Sequence, residues 1–169
     1  IDNTLTTSLV GQSISYLEDP SGKLQFHDVI SEKFAHINKD IANFQESKST
    51  FWLKFTIANK NNTNINYIEV VQPLLDVVDF YYPDSTNHYR VTTAGLRFPF
   101  EHRKYDQSAN FLFDLDLKPG EEKTFYLKIR GQAQVLVPVQ VVTKDSLDAI
   151  VSSRTIWFGV YCGIILVMV

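Results

Sequence analysis

Phe51, Leu53, Phe55 and Ile57 alternate with Trp52, Lys54 and Thr56. A period of two puts the first set on one side of an extended chain and the second on the other, the mark of a half-buried β-strand. An asparagine-rich turn over residues 59–64 separates this run from Tyr67-Ile68-Glu69-Val70-Val71. Pro73-Leu74-Leu75-Asp76 then leads into a third run, residues 77–82, which Pro83-Asp84 stops. Successive runs this rich in aromatic and β-branched residues predict the centre of an antiparallel sheet.

The same alternation recurs downstream. Residues 88–93 predict a strand that pairs with the previous one across Asp84-Ser85-Thr86-Asn87. Phe111, Phe113, Leu115 and Leu117 share one face and Asp114 and Asp116 the other; Lys118-Pro119-Gly120-Glu121 is a tight turn, and Phe125, Leu127 and Ile129 alternate again. Residues 135–143 extend the pattern, with Pro138 implying an edge strand or a bulge.

Upstream the signals are shorter. Residues 1–12 read as a loose arm or a short edge strand, 13–17 as a strand, and Asp19-Pro20-Ser21-Gly22 as a turn. Val29, Ile30, Phe34 and Ile37 have near-helical spacing, with Asp28 as N-cap, so residues 28–37 predict a short helix. Residues 39–50 read as a polar connector holding Ile41 and Phe44, and 95–107 as irregular. Acidic residues in Asp145-Ser146-Leu147-Asp148 suit the positive end of a helix dipole and predict a helix start. About eight strands with short turns predict an all-β fold, an antiparallel jelly-roll β-sandwich closed by a C-terminal helix. Residues 1–144 would form the β-sandwich and 145–169 the helix.

Composition is that of a folded domain: 44% of the 169 residues are hydrophobic and 21% charged. The net charge of -3 and the lack of a basic stripe argue against nucleic acid as a partner. The single cysteine, Cys162, excludes an internal disulfide. A first residue Ile1, without a basic and apolar leader, is expected of a mature form or an excised fragment.

From Ile156 to Val169 no residue is charged. This run is shorter than the roughly 20 residues that cross a bilayer. A soluble core helix normally carries a polar face and this one has none, so the expectation is the start of a membrane span cut at Val169, against a buried C-terminal helix. Trp157 and Tyr161 suit an interfacial position after Arg154. Gly159 and Gly163 form a Gly-x-x-x-Gly pair, a close-packing face for membrane helices that leaves homodimerisation open.

No catalytic constellation is present: no phosphate loop, no Cys/His metal pattern, no nucleophile elbow. Glu69 and Asp79 are the carboxylates on which a glycosidase reading would draw. Trp52, on the polar side of its strand, is either a platform on which a sugar ring stacks or a residue covered by a helix or loop; Tyr81 and Tyr126 raise the same question. Arg97 and Arg103 can grip a carboxylate or phosphate, or pair with surface acids such as Glu101 and Asp106. His102 precedes a run of cationic and aromatic residues in a loop, where binding groups concentrate. Asp76, Asp79 and Asp84 cluster near one sandwich end as calcium candidates, with solvated loop charges as the alternative. No other cofactor is expected.

Taken in order, several stretches resemble a bacterial receptor module. They are Tyr16-Leu17-Glu18-Asp19, Phe51-Trp52-Leu53-Lys54-Phe55, Pro73-Leu74-Leu75-Asp76 with Val78 and Tyr81-Tyr82-Pro83, and Phe98-Pro99-Phe100 followed by Arg103. Phe111-Leu112-Phe113, Leu117-Lys118-Pro119-Gly120-Glu121, Tyr126-Leu127-Lys128-Ile129 and Gly159-Val160-Tyr161-Cys162-Gly163 complete the series. The chain is similar to the second extracellular domain type of seven-transmembrane receptors with diverse intracellular signalling modules. That resemblance implies a periplasmic sensor domain at the bacterial inner membrane, non-enzymatic itself, with a histidine kinase or diguanylate cyclase output elsewhere in the receptor. It also implies likeness to carbohydrate-binding modules, hence a sugar or other small ligand. A protein–protein interaction module at the cell surface is the alternative.

Overall fold

The computed structural model describes residues 8–10, 14–39, 41–60, 62–99, 105, 108–131 and 134–168. The elements in chain order are β1 (Ser8–Leu9), β2 (Ser15–Asp19), α1 (Phe26–Val29), β3 (Ala35–His36), β4 (Ala42–Glu46), β5 (Thr50–Ala58) and β6 (Ile65–Val70). They continue with β7 (Val77–Pro83), β8 (Tyr89–Ala94), β9 (Phe111–Leu117), β10 (Glu122–Arg130), β11 (Gln134–Val137), β12 (Val139–Val142) and α2 (Lys144–Met168).

The strands form a six-stranded sheet in the order β3-β2-β5-β10-β7-β8, a four-stranded sheet in the order β1-β12-β6-β9, and a two-stranded sheet of β11 and β4. Every pairing is antiparallel. The alternating residues do what their period requires. Phe51, Leu53, Phe55 and Ile57 of β5 and Phe125, Leu127 and Ile129 of β10 enter one buried cluster. Ile68 and Val70 of β6 and Phe111, Phe113, Leu115 and Leu117 of β9 meet them there from the other sheet. Phe80 of β7 bridges the layers, its ring centroid 5.3 Å from that of Phe113.

Three expectations change. The consecutive runs β5, β6 and β7 are not neighbours: β5 and β7 both pair with β10, while β6 lies in the opposite sheet between β12 and β9. Alternation dictates which face of a strand is buried, not which strand lies beside it, and the loops between these runs cross the roughly 10 Å between packed sheets.

The helix over 28–37 is instead one turn, Phe26–Val29, with Gln25 as N-cap. Asp28 sits at its third position, and its Oδ2 accepts the Gln25 N–H at 3.0 Å. After this turn Ala35 and His36 pair with Tyr16 and Ser15, so the predicted helix gives way to an edge strand that fills the open side of β2.

Within the polar connector lies β4, which pairs with β11, and its Phe44 stacks on Phe51 at 4.1 Å. Pro138 acts as the expected interruption. It separates β11, in the sheet of β4, from β12, in the sheet of β6, and its carbonyl accepts the Val71 N–H at 2.9 Å.

α2 follows β12 with only Thr143 between them. Thr143 Oγ1 accepts the Ser146 N–H at 3.3 Å, and Asn66 Oδ1 accepts the Lys144 N–H at 3.0 Å, so the helix start is tied to the four-stranded sheet. Further along, Ile156, Trp157, Phe158, Tyr161 and Ile164 are exposed, Trp157 by 71%. No helix among the described residues is long and apolar enough to cross a membrane.

Candidate functional site

The outer face of the six-stranded sheet, opposite the core, carries an aromatic assembly. Tyr126 of β10 lies directly across from Tyr81 of β7, and Lys54 of β5 directly across from Tyr126 on its other side. Trp52 stands one outward position along β5, across from Lys128. Tyr89 opens β8 opposite Pro83, which places it on the same face as Tyr81. Directly opposed side chains on one sheet face have Cβ atoms about 5 Å apart, so large rings in this register must touch.

Trp52 is not exposed: none of its surface is accessible, and Tyr126 retains only 4%. The ring that covers them comes from α1. Phe26 stacks on Tyr81 with centroids 4.4 Å apart and planes 5° from parallel. It meets Tyr89 at 4.9 Å, Tyr126 edge-on at 5.3 Å and Trp52 at 6.4 Å. Phe34, from the return of the same loop, approaches Tyr126 at 6.1 Å. Of the two readings open for Trp52, covering by a loop is the one observed. The residues first picked out from their strand positions are nevertheless gathered in one place.

Two ammonium groups flank the rings. Lys54 Nζ lies 5.7 Å from the centroids of both Phe34 and Tyr126, and Lys128 Nζ lies 5.1 Å from that of Trp52. These are cation–π distances. Neither lysine makes an ion pair among the described residues. Asp79, in the same row as Lys128, accepts the Thr93 hydroxyl at 2.7 Å. The Trp52 Nε1–H is buried and has no acceptor among the described residues. Burial raises the pKa of Tyr81, and the Asp79 carboxylate adds to it; burial and then Tyr126 raise that of Tyr89. Both phenols therefore stay neutral donors at physiological pH, and Tyr89 uses its hydroxyl on the Thr124 carbonyl at 3.0 Å.

The loop that delivers Phe26 is anchored at its ends. Asp19 is 2% exposed; its Oδ1 accepts Ser21 Oγ at 2.6 Å and the Gly22 N–H at 2.9 Å, and its Oδ2 accepts the Leu24 N–H at 2.9 Å. Burial works to raise its pKa, but these hydrogen bonds outweigh it and hold the carboxylate below its ordinary range. At the far end the Ile37 N–H donates to the Ile14 carbonyl at 3.0 Å.

The other expected residues lie elsewhere. Arg97 is exposed, its N–H donating to the Asp76 carbonyl at 3.2 Å beyond the end of β8, apart from the aromatic assembly. His102 and Arg103 fall outside the described residues. The three calcium candidates do not converge, and no group of three acidic, histidine or cysteine residues is arranged for a metal among the described residues. Asp79 lies near the start of β7 and Asp84 just past its end, about 16 Å apart at the usual rise. Asp84 Oδ1 accepts Thr86 Oγ1 at 2.6 Å and the Thr86 N–H at 2.8 Å, and Arg90 Nε donates to its Oδ2 at 3.2 Å. These bonds, those from Thr86 foremost, hold its pKa far below the usual carboxylate range. Asp76 has one buried carboxylate oxygen without a partner among the described residues. Gly159 and Gly163 of α2 both face open space.

Glu69 is on the outer face of the four-stranded sheet, 6% exposed, where Asn110 Nδ2 donates at 2.7 Å and Gln140 Nε2 at 2.5 Å. Asp79 is on the outer face of the other sheet, so the whole core separates the two carboxylates and they do not flank one cleft. Tyr105 donates to Asp114 on this same side, and burial together with that carboxylate raises its pKa far above the usual phenol value.

Sequence reasoning missed Tyr89, Phe26, Phe34 and the two lysines. Tyr89 was accessible from the hairpin, since counting back across the Asp84 turn sets it on the Tyr81 face. Phe26 was not, because nothing local says where a loop ring will land.

Residues 11–143 match the model of the family described as 7TMR-DISM extracellular 2. No curated protein matches the chain.

Proposed function

The chain belongs to the 7TMR-DISM extracellular 2 family, and from that premise we propose that it senses a carbohydrate or other small ring-shaped ligand on the outer face of its six-stranded sheet. The family is a sensor-domain family of membrane receptors, which puts this module in the periplasm. The observation that carries the ligand reading is the convergence of Trp52, Tyr81, Tyr89 and Tyr126 on one sheet face. Aromatic rings on a flat sheet offer the stacking surface that a pyranose needs, with polar tips at its rim.

The strand orders support a jelly roll. β1-β12-β6-β9 faces β5-β10-β7-β8, with β2 and β3 added at the β5 edge. Every connection from β5 to β10 except the β7–β8 hairpin changes sheet, as two interlocked Greek keys require.

We assign α2 to the membrane-proximal role, entering the inner membrane with its exposed apolar surface, with residues 1–144 as the sensor and Gly159 and Gly163 available for packing against another helix. Its junction supports direct transmission: Thr143 alone separates sheet from helix, and Asn66 holds the first turn. A ligand that prefers one arrangement of the sandwich would shift the helix population, and one with equal affinity for both would signal nothing. The output domain, a histidine kinase or diguanylate cyclase, would lie elsewhere in the receptor.

A glycan panel tested by thermal shift on the 169-residue chain is the direct test of ligand binding. Stabilisation by a saccharide, abolished by Tyr81→Ala, is the expected result; no shift with any member counts against it. For transmission, a glycine-rich insertion between Thr143 and Lys144 in the full receptor should uncouple ligand from output, and unchanged signalling would refute a stiff junction.

The second reading, a surface module that pairs with another protein, is favoured by Leu74, Leu96 and Phe98, exposed by 62%, 52% and 38%. They lie on two loops joined by the Leu96 N–H to Leu75 carbonyl bond of 2.9 Å. Exposed apolar groups brought together in this way mark contact sites. Silence across the glycan panel, with a partner whose capture Leu96→Glu abolishes, would select it.

A further inference from the structure

Phe26 sits where a ligand ring would sit. It lies against Trp52, Tyr81, Tyr89 and Tyr126 at once, with a parallel stack on one side and an edge contact on another. Apart from this packing and the fully buried side chain of Val29, the segment that carries it is held by few bonds. All backbone hydrogen bonds of residues 25–32 are internal, such as Val29 N–H to Gln25 carbonyl at 3.2 Å and Ile30 N–H to Phe26 carbonyl at 3.2 Å. Side-chain bonds there are also local: Gln25 Nε2 to the Lys23 carbonyl, and His27 to Asp28. No hydrogen bond ties α1 to the sheet below it among the described residues. The segment is a strap pinned at Asp19 and Ile37 and seated between them by side-chain packing.

Beneath it two things remain unsatisfied. The buried Trp52 Nε1–H has no acceptor among the described residues. A buried donor left unpaired is costly; an oxygen-bearing ligand would recover that cost and a phenylalanine ring cannot. Lys54 and Lys128 carry ammonium groups over the rings of the box without an ion-pair partner among the described residues. An aromatic box alone would equally suit a quaternary ammonium. Two cations at its rim, set against the single carboxylate of Asp79 directly across from Lys128 and already engaged by Thr93, repel such a ligand and attract an anionic one.

We propose that Phe26 is a built-in occupant of this box, that its ligand is a pyranose bearing a carboxylate, and that binding expels Phe26 and lifts the strap of residues 23–34. In this arrangement the sugar ring takes the stacked position on Tyr81, and the carboxylate is met by Lys54 and Lys128. The inference rests on the reading of this face as the ligand platform and adds the ligand's charge and the displaced residue.

The test uses the 169-residue chain in a Trp157→Phe background, so that Trp52 is the sole indole. Trp52 emission is titrated with tetragalacturonate, with neutral cellotetraose and with choline. Tetragalacturonate should bind, and Phe26→Ala should bind it about tenfold more tightly, because the open box no longer pays for expelling its occupant. Lys54→Gln with Lys128→Gln should weaken it by about tenfold in protein that remains folded at the titration temperature. Saturating ligand should speed amide exchange in residues 23–34 of the otherwise unaltered chain, a readout that remains decisive if Phe26→Ala does not fold. Preference for cellotetraose or choline overturns the charge assignment and leaves the sensor reading standing. Tetragalacturonate binding with equal affinity for both forms, or with no change in exchange over 23–34, overturns the displacement. Failure of all three probes with a folded Phe26→Ala protein overturns the box as a ligand site altogether.

Discussion

Phe26 and Tyr81 lie face to face across the gap between a loop and a sheet, their ring planes 5° from parallel and their centroids 4.4 Å apart. Tyr81 holds its place through the β7–β10 ladder, whereas Phe26 has no ladder at all. The pair is therefore the fastener of the strap, and its strength is measurable. Truncating a buried phenylalanine costs about 3–5 kcal/mol. Phe26 is half-buried, so Phe26→Ala should destabilise by about 2 kcal/mol. A double-mutant cycle with Tyr81→Ala should show a coupling of about 0.5–1.5 kcal/mol. Urea denaturation followed by circular dichroism gives both; no coupling would mean that the stack is incidental.

The anchor of the strap is acid-sensitive. Asp19 has a folded pKa below its unfolded one, so the stability it contributes is complete above the unfolded value of about 3.9 and is lost as pH falls through the lower folded value. Asp19→Asn should lose about 2 kcal/mol at pH 7, since hydrogen bonds to a charged acceptor are the strong kind. Below the folded pKa the variant and the parent should converge. Thermal midpoints over a descending pH series from pH 7 show this directly, and a gap that does not narrow as the pH falls would assign the effect to shape instead of charge.

On the opposite sheet, Glu69 accepts hydrogen bonds from Asn110 and Gln140 while 6% exposed. Glu69→Gln replaces one acceptor oxygen with a donor facing other donors, and should cost about 1–3 kcal/mol despite near-identical shape. Glu69→Gln paired with Gln140→Glu exchanges donor and acceptor and should recover part of the loss. Chemical denaturation of the three proteins decides it.

Two glycines with positive φ should answer differently to the same substitution. A Cβ on Gly95, at φ +136°, would lie 2.2 Å from the Asp76 carbonyl oxygen, whereas one on Gly120, at φ +80°, meets nothing within 4 Å. Gly120→Ala should cost about 1 kcal/mol, the ordinary penalty of the left-handed region. Gly95→Ala must also move backbone and should cost about 4 kcal/mol or more, among the largest single-residue effects. Expression yield and thermal midpoint separate the two; equal midpoints would show that the Asp76 loop yields freely.

Much of the fold could be read from residue order because a strand's period is local. The inward faces of β5, β9 and β10 follow from spacing alone: Phe51 and Leu53, Phe111 and Phe113, Phe125 and Leu127 are all buried. The β7–β8 hairpin and the break at Pro138 were equally legible, since turn chemistry and a missing N–H act where they occur. So was the family, through short motifs spread in order along the chain.

Which strands became neighbours was a different matter. β5, β6 and β7 divide between sheets, and β4 finds β11 nearly the whole domain away, because edge pairing is settled by whichever backbone groups the packed core leaves open. The candidate site belongs to this second class. Trp52, Tyr81 and Tyr126 could be named from their strands, but their burial could not. It depends on Phe26, a residue whose own neighbourhood is a polar turn and whose ring finds its contacts only once β5, β7, β8 and β10 lie side by side. Local spacing sets the direction of a side chain; what it meets there is a property of the assembled sheet.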